Sequence, residues 1–199
     1  KAKDSAPFAE RPFSRTPISA PFAEHSSDIH TNRIQKKHSC RKRQGCFFCI
    51  NLFFYGFAKS PYDFVKIYGG EPVLYTTDYR NPVDTAALEE YLKKDSSFKY
   101  ATVVHCDTPS GVINDVAEIS RILDRYGIMT VADSVAGMFG QPLDCASSKI
   151  DILCGGSQKA LSAPPGLTMV WVSDRAFKAM EDRKTPIASI YANILVFKD

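Results

Sequence analysis

Residues 128–135 read IMTVADSV, and residues 150–161 read IDILCGGSQKAL. Each begins as a short apolar run and ends in a polar cluster. Ile128–Ala132 and Ile150–Cys154 read as strands, each too short for an independent helix. Between Asn114 and Tyr126, Val116, Ile119, Ile122 and Leu123 recur at helical spacing. Outward from this centre the alternation continues. Pro72–Thr76 reads as a strand after Gly69-Gly70. Asp84–Lys94 reads as a helix with Leu88, Leu92 and Ala86-Ala87 on its apolar side. Thr102–His105 and Leu167–Val172 read as strands, and Ser173 caps a helix over Asp174–Glu181 with Ala176 and Met180 four apart. Several strands are apolar on both faces. Such strands alternating with helices predict a mainly parallel sheet between two helical layers, a three-layer α/β/α fold.

In sheets of this kind ligands gather beyond the carboxyl ends of the strands. The residues there are Asp107-Thr108-Pro109-Ser110-Gly111, Asp133-Ser134 and Gly155-Gly156-Ser157-Gln158-Lys159. Asp133 directly follows an apolar strand. A carboxylate there serves as a metal ligand, a base or the partner of a cationic ring nitrogen. It is equally a turn or cap residue when taken alone, as Lys159 alone is a surface lysine. A metal is the weaker reading, since Asp107 and Asp133 are its only evident oxygens. A lysine at the ligand edge can form a Schiff base with an aldehyde. Lysine and aspartate together are what pyridoxal phosphate requires, one for its aldehyde and one for its ring nitrogen. Ser157 and Gln158 are candidate phosphate donors, beside glycines that permit close backbone approach. Thr108 can reach the phenolic oxygen of such a ring, and Val135 can cover its face. His105 reads as a strand residue rather than an acid catalyst, with ring stacking as the alternative.

The whole chain has 199 residues, 44% of them hydrophobic and 24% charged, which excludes a collagen-like fibre, a wholly disordered chain and a small disulfide-stapled module. The net charge of +3 hides an asymmetry: residues 1–58 carry +6 and residues 59–199 carry −3. The early segment contains Pro7, Pro12, Pro17 and Pro21 and repeats Ser-Ala-Pro-Phe-Ala-Glu at 5–10 and 19–24. Two copies are too few for a solenoid, and the segment reads as irregular or extended. The basic residues Lys36–Arg43 read as solvated charge rather than a nucleic-acid surface. Cys46-Phe47-Phe48-Cys49, with His38 and Cys40, has zinc-like or redox-like spacing but no turn former, so unrelated cysteines are the simpler reading. Residues 47–58 form the longest apolar run, short of the ~18 residues that span a bilayer. They follow positive charge, as in a signal peptide, but lie deep in the chain with no alanine-rich cleavage site after them. Reduced thiols in a cytoplasmic setting, with no membrane partner, are the expectation.

The run VHCDTPSGVINDVAEISRILDRYGIMTVADSVAGMFGQPLD and the following DILCGGSQKALSAPPGLTMVWVSDRAFKAM resemble the class V, fold-type I pyridoxal-phosphate aminotransferases. The similarity is greatest to the alanine–glyoxylate, serine–glyoxylate and 2-aminoethylphosphonate–pyruvate branch. Gly156–Leu161 with Pro164-Pro165-Gly166 is the most specific piece. The resemblance implies the large-domain fold of those enzymes over residues 55–191, an irregular segment at 1–54, and at 192–199 the start of a connection to a further domain. It implies that Lys159 is the Schiff-base lysine and proton carrier and that Asp133 pairs with the pyridine nitrogen. Thr108 would lie at the phenolic oxygen, Val135 on the ring and Gln158 at the phosphate. The implied reaction moves an amino group from a small amino acid to a 2-oxo acid such as glyoxylate or pyruvate, in a homodimer. The chain departs from the pattern in three ways. It lacks the later domain with its carboxylate-binding arginine, it lacks the upstream Gly-Ser/Thr-rich loop, and it carries Pro109-Ser110 where Ser-Thr is commoner. An incomplete large domain is therefore expected. Lyases and desulfurases of the same fold are an alternative, though desulfurases commonly place histidine where this chain has Gln158. A non-catalytic remnant acting as a structural or interaction partner is another.

Overall fold

The computed structural model describes residues 48–53, 59–77, 80–187 and 189–198. A six-stranded sheet is its frame. Its strands are β1 (Phe48–Phe53), β2 (Glu71–Thr76), β3 (Tyr100–Val104), β6 (Met129–Asp133), β7 (Ile152–Gly156) and β8 (Thr168–Val172), in spatial order β2-β1-β3-β6-β7-β8. All neighbours are parallel except β7 and β8. A two-residue pair, β4 (Cys106–Asp107) and β5 (Val112–Ile113), forms an antiparallel hairpin just beyond β3. The strands expected from 72, 102, 128, 150 and 167 are all present, with ends shifted by at most two residues.

β1 lies inside the sheet, pairing Phe48 with Glu71 on one side and Cys49 with Tyr100 on the other. The sheet therefore takes in residues ahead of the boundary expected at 55. The other cysteine of the Cys-Phe-Phe-Cys pair, with His38, Cys40 and the basic run, lies outside the described residues. From β1 the chain moves to the β2 edge, then returns past β1 to β3 and continues toward β8. The direction of travel thus reverses between β1 and β3, the kind of position where open α/β sheets bind ligands.

Helices α1 (Lys59–Ile67), α2 (Thr85–Lys94), α3 (Val116–Arg125) and α4 (Asp174–Glu181) complete the fold. Right-handed crossovers put α1, on the leftward step, opposite α2 and α3 on the rightward ones. The packing agrees: α1 lies on β1 and β2, while α2 meets α3 and α3 covers β3 and β6. Asp84 starts α2 by accepting from the N–H groups of Ala86 and Ala87, and Leu88 and Leu92 are then fully buried one turn apart. Asp115 caps α3 through the Glu118 N–H, and Val116, Ile119, Ile122 and Leu123 enter the core against Ala101, Val103 and Ala132. Gly127, at φ +71, ends α3 and lets the Ile128 N–H reach the Leu123 carbonyl. Ser173 caps α4, and a 3-10 turn at Ile194–Phe197 packs on that helix.

The amino edge of the sheet is pinned by one carboxylate. Asp151 precedes β7, and its side chain is 3% exposed. Oδ2 accepts from the Thr130 N–H at 2.8 Å and from Arg175 at 2.6 Å. Oδ1 accepts from the Ser173 hydroxyl at 2.9 Å and from Arg175 Nε at 2.8 Å. Arg175 also reaches Asp124 at 2.8 Å. Asp151→Ala leaves a buried N–H without its acceptor and an arginine with one carboxylate. The expected loss is about 2–4 kcal/mol, held below that of a fully buried pair because Arg175 is partly exposed. Urea unfolding should show it, with Asp151→Asn losing about half as much. A change below ~0.5 kcal/mol in Asp151→Ala would refute the assignment.

Candidate functional site

The carboxyl ends of β3, β6 and β7 are adjacent, about 4.8 Å from one strand to the next. In register Val104 stands beside Asp133, and Asp133 beside Cys154. All five predicted site residues therefore leave one edge of the sheet. Thr108, Asp133, Gln158 and Lys159 are exposed, and Val135 is half-buried.

Thr108 sits on a tightly tied turn. Asp107 is buried, and its Oδ2 accepts from both the N–H and the hydroxyl of Ser110. The Gly111 N–H donates to the Asp107 carbonyl at 2.8 Å, with φ +71 at the glycine. Asp107 thus scaffolds its own loop, which leaves Thr108 outermost.

Asp133 ends β6. Its Oδ1 accepts from the Val135 N–H at 3.1 Å, which turns the chain back over the sheet. The next residue, Ser134, is fully buried and lies 2.8 Å from Nδ1 of His105. His105 is 4% exposed, one residue past β3, beneath the edge rather than on it. β3 ends at Val104, so His105 stands in the bend just past the strand expected to include it. The contact with Ser134 was not legible, because it depends on the register of two strands.

A close-packed layer joins the loops after β6 and β7. A methyl group on Gly137 would stand 2.5 Å from His105 Nδ1, and one on Gly155 would stand 2.2 Å from the Met138 sulfur. One on Gly140 would stand 3.0 Å from the Ala160 Cβ. Loop 134–141 therefore rests directly on the end of β7 and the turn that carries Lys159. Gln158 folds back so that its Oε1 lies over Gly156. Ser157, expected as a phosphate donor, is fully buried. Its hydroxyl donates to the Pro164 carbonyl at 2.6 Å and receives the Leu167 N–H at 3.4 Å, closing the β7–β8 loop. Burial raises the Cys154 thiol, and the neighbouring Asp133 carboxylate adds to the effect, so the group stays protonated at neutral pH.

Among the described residues no cluster of His, Cys, Asp and Glu suits a metal ion. A pocket of about 550 Å³ opens at the opposite edge, lined by Asp124, Lys149, Asp151, Trp171 and Arg175 among others. Two of its three carboxylates, Asp124 and Asp151, are already bonded to Arg175. No described helix is long and apolar enough to cross a membrane.

This sheet is that of the large domain of a fold-type I pyridoxal-phosphate-dependent transferase. A model of the family described as aminotransferase class-V matches residues 67–188, and the chain belongs to that family. It is 30% identical over 149 residues to an uncharacterized aminotransferase of Methanocaldococcus jannaschii, covering 75% of this chain and 38% of that protein. It is 34% identical over 96 residues to a 2-aminoethylphosphonate–pyruvate transaminase of Bacillus cytotoxicus, covering 48% and 26%. The crystal structure of pyridoxamine–pyruvate aminotransferase from Mesorhizobium loti superposes with a TM-score of 0.65 at 30% identity, over 72% of this chain and 37% of that one. The chain spans about two-fifths or less of the length of these relatives.

Burial holds the His105 imidazole below its ordinary value near 6.5, and the Asp115 carboxylate opposes this more weakly. The unfolded chain takes up a proton there that the folded chain resists. Stability is therefore full above that ordinary value and falls as pH drops through it. Urea midpoints should decline from about pH 7 to about pH 5, with up to about 1.4 kcal/mol per pH unit from this group. His105→Asn should flatten that part of the decline. Parallel profiles in the two proteins would show that His105 does not titrate this way.

Proposed function

We propose that this chain carries the cofactor-handling part of an aminotransferase that moves an amino group from a small amino acid or amine to a 2-oxo acid such as pyruvate or glyoxylate. One observation carries the reading. An exposed carboxylate, Asp133, and an exposed primary amine, Lys159, leave the carboxyl ends of neighbouring strands. The residues present fit pyridoxal phosphate in their donor chemistry. The paired glycines 155 and 156 also leave room at this edge for the Met138 and Gln158 side chains. When bound, the cofactor supplies an aldehyde that takes up amino groups and a protonated ring that draws electrons from the substrate's α-carbon.

Lys159 would hold that aldehyde through Nζ. Once displaced by the substrate amine, it would carry the proton removed from the α-carbon. Asp133 would keep the ring nitrogen protonated, its carboxylate aimed by the Val135 N–H. Val135 would pack on the ring, Thr108 would donate to the phenolic oxygen, and Gln158 would contact the phosphate. The 2-aminoethylphosphonate and pyridoxamine enzymes that this chain resembles both name pyruvate, which supports a small 2-oxo acid as acceptor. A homodimer belongs to the reading, because a second subunit across the exposed edge would shield it from water. A cytoplasmic setting is supported by Cys106, Cys145 and Cys154, which are free thiols.

Borohydride reduction of the chain with pyridoxal phosphate, followed by peptide mass mapping, tests the assignment. The adduct should fall on Lys159 and vanish in Lys159→Ala. An adduct elsewhere, or none, would overturn the site. Asp133→Asn should keep the adduct but slow amino transfer by about 10²-fold or more, and an unchanged rate would mean that another group serves the ring nitrogen.

A further inference from the structure

Asp133 lies exposed at a strand end, where a side chain has the most freedom, yet its surroundings are unusually determined. Its carbonyl accepts from the His105 N–H at 2.8 Å, and its Oδ1 accepts from the Val135 N–H at 3.1 Å. Ser134 donates its N–H to the Cys154 carbonyl at 2.9 Å. The Ser134 carbonyl accepts from Gly137 at 3.0 Å and from Met138 at 2.7 Å. The Ser134 hydroxyl meets His105 Nδ1 at 2.8 Å. His105 is held in turn. Its carbonyl accepts from the Asn114 N–H at 2.8 Å, and Gly137 lies against its ring. Asn114, 1% exposed, donates to the Val104 carbonyl and accepts from the Val83 N–H.

Packing alone does not call for a buried histidine–serine pair. Two apolar side chains of the same shape would fill the space at little or no cost, without the desolvation of an imidazole and a hydroxyl. What the pair adds is direction. It fixes how the end of β6 turns away from β3, and so where the Asp133 carboxylate stands. We propose that His105 and Ser134 are positioning residues for Asp133, acting from beneath the edge without touching the cofactor. This rests on the reading of Asp133 as the ring-nitrogen partner.

A double-mutant cycle on the full chain tests it, with pyridoxal phosphate affinity as the first readout. Ser134→Ala and His105→Leu should each raise the dissociation constant about tenfold. Neither should raise it further in an Asp133→Asn background. His105→Asn, which keeps a polar atom where Nδ1 stands, should recover affinity to within about threefold. Additive effects, or no recovery, would overturn the proposal while leaving the cofactor site intact. The second readout needs no cofactor: hydrogen exchange of the Val135 amide, whose partner is the Asp133 carboxylate. It should quicken about tenfold in Ser134→Ala and hold in His105→Asn, with the Leu88 amide as an unmoved control. If the parent chain takes up no pyridoxal phosphate, the reading of the site fails by itself. Val135 exchange then decides the positioning role, and an unchanged rate in Ser134→Ala overturns it.

Discussion

Four donor groups converge on the Asp151 carboxylate at the amino edge of the sheet, and much of the architecture follows from that meeting. The Thr130 N–H belongs to β6, Asp151 itself leads into β7, and Ser173 and Arg175 stand where β8 becomes α4. One buried anion therefore sets where β6 and β7 start and where β8 ends. Each is five residues long, and an extended chain advances about 3.3 Å per residue. Fixing one end of such strands fixes the other. Asp133 emerges beside Cys154, and Gly156 beside Thr168, because the register was decided at the opposite edge.

At the carboxyl edge contact distance takes over from charge. Gly137 against His105 and Gly155 against Met138 leave no room for a methyl group, and Gly140 against Ala160 leaves little. Loop 134–141 is thereby seated on the end of β7, and the turn bearing Lys159 inherits its place from that seat. Ser157 supplies the remaining tie by closing the β7–β8 loop. The two edges divide the labour. One is pinned by paired charge, while the other keeps Asp133 and Lys159 exposed over a tightly packed floor.

Most of the fold could be read from the chain, and the exceptions have physical causes. α2, α3 and α4 announce themselves through Asp84, Asp115 and Ser173 and through apolar spacing. β1 did not. An interior parallel strand reads as a largely apolar run, and the apolar residues of 47–58 continue past the end of β1 at Phe53. α1 was masked by Pro61, which looks like punctuation but is tolerated in the first turn of a helix. Lys159 and Asp133 were legible as candidates because Asp133 closes its strand and Lys159 lies in the polar cluster just beyond β7. Ser157 follows a strand too, yet it turns inward. Whether such a residue faces solvent is settled by the loop beyond it, which sequence periodicity does not describe. The His105–Ser134 contact lies 29 residues apart in the chain and exists only through strand register.

Three aspartates show how far identity is from role. Asp107, Asp133 and Asp151 all lie at strand ends, and the bare sequence offers the first two as ligands. Asp107 is buried and spent on Ser110. Asp151 is buried and accepts four hydrogen bonds. A carboxylate saturated in this way has little left for a ligand, and disturbing it disturbs the fold. Asp133 is exposed and gives one oxygen to a neighbouring N–H that orients it. Orientation without saturation is what a group needs in order to meet a cation arriving from solvent. The pocket of about 550 Å³ at the amino edge makes the same point from the other side. It is concave and charged, but Asp124 and Asp151 in its lining already have their counter-ion in Arg175. Concavity therefore does not identify the site in this chain; a carboxylate and an amine that the fold holds in place and leaves exposed do.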